Sequence, residues 1–120
     1  MIDRYSRKEI KNIWEDKNKY SIWLEIELAA AEAMEKLKII PKGVSKKIRS
    51  KAKINVKRIL QIEEKVKHDV IAFLTSISEK AGKETRHLHK GMTSSDVLDT
   101  CFNLQLKQSG KILLDDIDIL

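Results

Sequence analysis

Thr93, Ser94 and Ser95, followed by Asp96, stand in the stretch "HKGMTSSDVLDT" of a chain otherwise rich in lysine and isoleucine. The first turn of a helix presents unpaired N–H groups and a partial positive charge, and hydroxyls near a glycine add donors that a ligand can approach closely. Such an entrance suits a carboxylate or a phosphate. Thr93 and Asp96 also have capping-box spacing, in which hydroxyl and carboxylate each satisfy a backbone N–H at the helix start. On spacing alone both uses stay open. A second group lies in "KHDV", Lys67 to Val70. His68 has no periodic reason to be there, and a carboxylate such as Asp69 beside it can set an imidazole's orientation and basicity, as binding and acid–base sites require. A surface or half-buried position is the commoner fate of a lone histidine.

His87 and His89 in "RHLHKG" are potential imidazole ligands. With Cys101 the only thiol and no closed ligand set at familiar spacing, no metal site is expected. No glycine-rich phosphate loop or nucleophile elbow occurs, and no cofactor is expected. Arg4 and Tyr5 precede the first expected helix and read, by composition, as a terminus with a surface aromatic.

The elements that must position these groups are helices. Apolar residues recur at three- and four-residue spacing, and four glycines with one proline in 120 residues leave little room for tight hairpins. The fold class is therefore all-α. Ser6 and Glu9 have capping-box spacing and predict a short helix from Arg7. A longer helix is expected over about 19–38, with Trp23, Ile26, Ala30, Met34 and Leu37 as its buried stripe. Pro41 is expected to open a weak helix carrying Val44 and Ile48 inward. Asn55 is the expected cap of a helix burying Val56, Ile59, Leu60 and Val66, and Asp69 that of a helix burying Val70, Phe73, Leu74 and Ile77 that stops near Gly82. Periodicity fails between Lys83 and Met92. A last helix follows Thr93 with no visible stop, as expected of a long amphipathic helix cut in mid-course.

The bulk numbers narrow the function classes. A 120-residue chain with 42% hydrophobic content suits one domain with a core, or one domain and a fragment. The formal charge of +6 raises nucleic acid as a partner, but the basic stretch from Lys36 to Lys67 contains no aromatic to stack a base, and lysine outnumbers arginine. A solvated surface is the reading preferred here, and nucleic acid is not an expected partner. A single cysteine, the absence of a signal-like start and the lack of any run near about 20 apolar residues predict a cytoplasmic protein without a membrane span.

Together, "RYSR" at the start, "IWLEIELAAAEA" on the long helix, "KHDVIAFL" in the middle and "HKGMTSSDVLDT" near the end resemble the N-terminal region of the adenylosuccinate lyase family, within the fumarase and aspartase superfamily. The resemblance runs nearly the whole length, in order. It implies a small N-terminal helical domain, here residues 1–110, followed at 111–120 by the start of a long bundle helix, within an enzyme more than three times as long. It also implies a homotetramer and a nucleotide substrate: elimination of fumarate from adenylosuccinate, giving AMP, and from succinylaminoimidazole carboxamide ribotide, in purine biosynthesis. Arg4 and Tyr5 resemble the pair that contacts the nucleotide phosphate, and Thr93 and Ser94 the residues that hold the succinyl portion. Lys67, His68 and Asp69 match a substrate-binding triplet, with His68 supporting the leaving group, and His89 resembles a further pocket histidine. Lys67 departs from the family's usual arginine, replacing a bidentate fork by a point charge. The family's general-acid histidine and basic serine come from later segments and other subunits, so the chain alone is expected to be inactive. The rival reading is a non-catalytic helical interaction module on the same scaffold, its apolar last helix pairing with a partner.

Overall fold

The computed structural model of the protein describes residues 2–120. A 3-10 turn at Asp3–Tyr5 leads into α1 (Lys8–Ile13), α2 (Asp16–Lys36), α3 (Val44–Lys51), α4 (Val56–Val66) and α5 (Asp69–Ala81). A second 3-10 segment, Gly82–His87, connects to α6 (Ser94–Ile119), and no strand occurs among the described residues.

The core forms where α2 crosses α5 and α6. Tyr20 and Trp23 of α2 meet Phe73 of α5 as an aromatic trio: Tyr20 and Phe73 lie stacked at 6.0 Å, and Trp23 stands edge-on to both, at 5.2 and 5.5 Å. These are the preferred aromatic geometries, each worth about 0.5–1.5 kcal/mol beyond area burial. Leu28, Ile48, Ile59, Ile77 and Val97 complete the interior from five helices. The buried face of α2 runs through Tyr20, Trp23, Glu27, Leu28 and Ala31; of the expected stripe Trp23 is buried, Ile26 and Met34 pack partly buried against the core, Ala30 is half-buried, and Leu37 is exposed. The cause is that α2 is covered on two sides, by α3 and by α6, so its contact surface is broader than a single stripe. The helix ends at Lys36, before Leu37, and Lys38 turns left-handed at φ 59°.

Several local expectations shift for identifiable reasons. The Ser6–Glu9 capping box does not form: the Ser6 hydroxyl donates instead to the Ile2 carbonyl at 2.7 Å, and α1 starts at Lys8 with Arg7 as an uncapped entry. Pro41 does not open α3. Gly43, left-handed at φ 89°, does so, and Glu35 of α2 supplies the missing cap by accepting the N–H groups of Gly43 at 2.8 Å and Ser45 at 2.7 Å. Asn55 caps α4 as its position predicts, accepting the Arg58 N–H at 3.0 Å. Leu60 and Val66 are exposed, because α4 packs chiefly on α5 through Ile59 and Ile62, with the expected Val56 partly buried beside them.

The break between α1 and α2 leaves the Ile13 carbonyl without a helical partner. The side-chain amides of Asn18 and of buried Gln105 both donate to it at 2.8 Å, locking α6 against the kink. Val97, Cys101 and Gln105 form the inward stripe of α6 at four-residue spacing. Beyond Gln105 the helix continues through position 110 without interruption, and Leu106, Leu113, Leu114 and Ile117 are exposed. That projection lengthens the molecule: the radius of gyration is 16.2 Å, against about 13.6 Å for a compact domain of this length. Arg7 pairs with Asp116, and the Trp14 indole N–H donates to Ser109 at 3.1 Å, so α1, between these two contacts, runs alongside this extension.

Candidate functional site

Lys67 lies in a left-handed conformation, φ 53°, where α4 ends. That single residue turns the chain so that α5 can double back on α4. A left-handed residue at this position is normally glycine, and a non-glycine residue there carries about 1–2 kcal/mol of strain. His68 follows as the N-cap of α5, in place of the expected Asp69: its Nδ1 accepts the Ile71 N–H at 3.4 Å. Asp69 becomes the first helical residue, 3.6 Å from the same ring nitrogen and hydrogen-bonded to the Val70 N–H at 2.7 Å. With Nδ1 committed to the helix start, Nε2 of His68 is the nitrogen left for a ligand. The Lys67 side chain has no ion pair among the described residues.

The second group is built by the turn before α6. Gly91 is left-handed at φ 71° and Thr93 is extended, so the chain enters α6 abruptly. The capping box expected from Thr93 and Asp96 forms, with the Thr93 N–H donating to the Asp96 carboxylate at 2.8 Å. One of the free donors of the helix entrance is thereby occupied from within. The N–H groups and hydroxyls of Ser94 and Ser95 find no protein acceptor among the described residues and remain at the positive end of a 26-residue helix.

His89 sits two residues before that glycine, itself left-handed at φ 57°. It is held by Glu27, a residue that periodicity alone did not single out. The Glu27 carboxylate is 0% exposed; Oε2 accepts the His89 backbone N–H at 2.7 Å, and Oε1 lies 2.6 Å from His89 Nδ1. The signal for it was present. In "IWLEIELAAAEA" Glu27 falls four residues after Trp23 and four before Ala31, on a helix face that burial requires, and a buried carboxylate is rare unless paired.

Arg4 and Tyr5 occupy the exposed 3-10 turn, with the guanidinium 4.8 Å from the centre of the Tyr5 ring. The structure thus presents three separate groups: Arg4 with Tyr5, Lys67 with His68 and Asp69, and His89 with Thr93 and Ser94. No hydrogen bond or ion pair joins one group to another among the described residues. A cavity of about 860 Å³ lies elsewhere, at the end of α2, lined by residues such as Glu35, Ile39 and Pro41.

No family model matches the chain. Among curated proteins it is 49% identical, over 117 residues, to the adenylosuccinate lyase of Thermotoga maritima, a match that covers 98% of this chain and 27% of that enzyme. Among solved structures, the fumarate lyase of Mesorhizobium sp. BNC1 superimposes with a TM-score of 0.75 at 25% identity, over 86% of this chain and 26% of that one. The chain spans about a quarter of the length of each. By sequence along nearly its whole length this chain is similar to about a quarter of an adenylosuccinate lyase, and by its helical fold to about a quarter of a fumarate lyase.

Proposed function

We propose that the chain forms the N-terminal, substrate-binding portion of an adenylosuccinate lyase. The observation that carries this reading is the identity of 49% sustained over 98% of the chain. The reaction would be a β-elimination. A base removes a proton beside a carboxylate, charge spreads onto that carboxylate, and the departing nitrogen is protonated as fumarate leaves. Fixed donors where negative charge accumulates are what lower such a barrier. The unpartnered N–H and hydroxyl groups of Ser94 and its neighbours suit the succinyl carboxylates, with the Thr93 hydroxyl at the rim of the same entrance. His68 would present Nε2 to the substrate, Asp69 would restrain the ring, and Lys67 would supply a cation without the planar fork of arginine. Arg4 and Tyr5 would meet the nucleotide phosphate.

These groups are not joined within one chain, and the reading assigns their union to neighbouring subunits of a cytoplasmic homotetramer. Residues 1–110 would form the N-terminal domain and 111–120 the opening of a bundle helix. The exposed Leu106, Leu113, Leu114 and Ile117 support burial of that helix in an assembly. The test is fumarate release from adenylosuccinate by the complete lyase polypeptide carrying this chain. Turnover is expected there and none from the 120 residues alone. Absence of turnover in the complete polypeptide refutes the reading, whereas Ser94→Ala should weaken substrate binding without unfolding the chain.

A further inference from the structure

We infer that Glu27 is the positioning residue of His89: its carboxylate keeps a proton on the imidazole Nδ1, so that Nε2 is the nitrogen offered to a ligand at the entrance of α6. The inference rests on the reading of the chain as part of a lyase, in which His89 resembles a further pocket histidine, and deepens it. Three observations carry it. Glu27 is fully buried, and both of its oxygens are used on one residue, the backbone N–H and the ring of His89, at 2.7 and 2.6 Å. That two-point grip fixes the backbone and the ring together. His89 is also left-handed at φ 57°, a conformation of about 1–3 kcal/mol that persists where the surroundings enforce it and that clusters at ligand clamps. Finally, the His89 side chain keeps 21% of its surface accessible while its partner keeps none, so the open side of the ring lies away from Glu27.

The proton belongs on the nitrogen. The Glu27 carboxylate offers only acceptor oxygens, and with Oε2 taken by the His89 backbone N–H, the 2.6 Å contact of Oε1 with Nδ1 is a hydrogen bond when Nδ1 bears the proton. Oε1 then accepts from Nδ1–H, and Nε2 is the ring nitrogen left without a protein partner among the described residues. A purely structural pin needs the same Nδ1–H, so the tautomer tests the pairing, and kcat/KM of the Glu27→Gln variant separates a positioning role from a structural one.

The experiment is long-range proton–nitrogen correlation NMR on the chain labelled with 15N-histidine at pH 8, with His89→Asn to assign the signal. Nδ1 of His89 is expected to bear a proton. In Glu27→Gln the amide oxygen can still accept the backbone N–H while its NH2 donates to Nδ1, so the proton should move to Nε2. In the complete lyase polypeptide the same variant should lose about 10–100-fold in kcat/KM, the usual scale for a residue that orients a functional histidine. A bare Nδ1 in the unaltered chain overturns the inference even if the variant fails to fold. Retention of the Nδ1 proton in Glu27→Gln overturns it, as does undiminished kcat/KM. An unaltered polypeptide inactive on adenylosuccinate sinks the functional reading instead, and the NMR result still judges the role of Glu27.

Discussion

Removing Glu27 should cost more stability than any surface charge in the chain, and part of that cost should be shared with His89. The carboxylate accepts two hydrogen bonds in a site with no solvent access, each charge-assisted bond contributing about 1.5–3 kcal/mol. Glu27→Ala loses both and leaves the His89 N–H without a partner, for a total of about 3–5 kcal/mol, the scale on which buried ion pairs break. His89→Ala loses the ring bond but leaves the carboxylate on the backbone N–H, so it should cost about 2–3 kcal/mol. In the double variant the ring bond is lost only once, which makes the two changes non-additive by about 1.5–3 kcal/mol. Urea unfolding followed by the fluorescence of buried Trp23 and by far-ultraviolet circular dichroism reads all four corners of the cycle. Domains have only about 5–15 kcal/mol in total, so if Glu27→Ala is too unstable for a folded baseline, Glu27→Gln takes its place. A coupling below about 0.5 kcal/mol, the additivity of distant sites, would refute the pairing of these residues.

Further outcomes follow from other contacts. The backbone N–H groups of Ser45 and Gly43 hold the Glu35 carboxyl below its ordinary value of about 4.5. A depressed carboxylate contributes stability above its unfolded value and loses it as pH falls through its folded one. The melting-temperature gap between the unaltered chain and Glu35→Gln should therefore be full at neutral pH and close progressively below about 4.5. Lys67→Gly should raise stability by about 0.5–1 kcal/mol in urea titration, since glycine adopts the left-handed turn without strain, and in the complete lyase polypeptide it should weaken substrate binding. Burial pushes the Cys101 thiol above its ordinary value, and only the thiolate reacts readily. Its labelling by a disulfide reagent should be slow in the folded chain and rise steeply across the urea transition. Phe73→Ala, at the centre of the aromatic trio, should cost about 3–5 kcal/mol by the same unfolding assay.

What sequence alone determined is what local rules govern. The number and order of helices followed from apolar spacing and from the scarcity of glycine and proline, because a helix must turn one face from water wherever it packs. The caps at Asn55 and Thr93 were legible because each acts within three residues of itself. The histidines and hydroxyls that draw attention as chemistry were visible because periodicity does not require them.

What tertiary structure decided depends on partners distant in the chain. Ser6 abandons its local capping box for the Ile2 carbonyl, and α3 is capped from α2 by Glu35 rather than by its own preceding residues. Which face of α2 is buried was set by helices on two sides of it, so a stripe drawn from one period was too narrow. Glu27 meets His89 across 62 positions of sequence. No local pattern encodes that meeting, because a charge becomes tolerable in the interior only when folding delivers its partner, and that delivery is a property of how α2 and the turn before α6 are brought together.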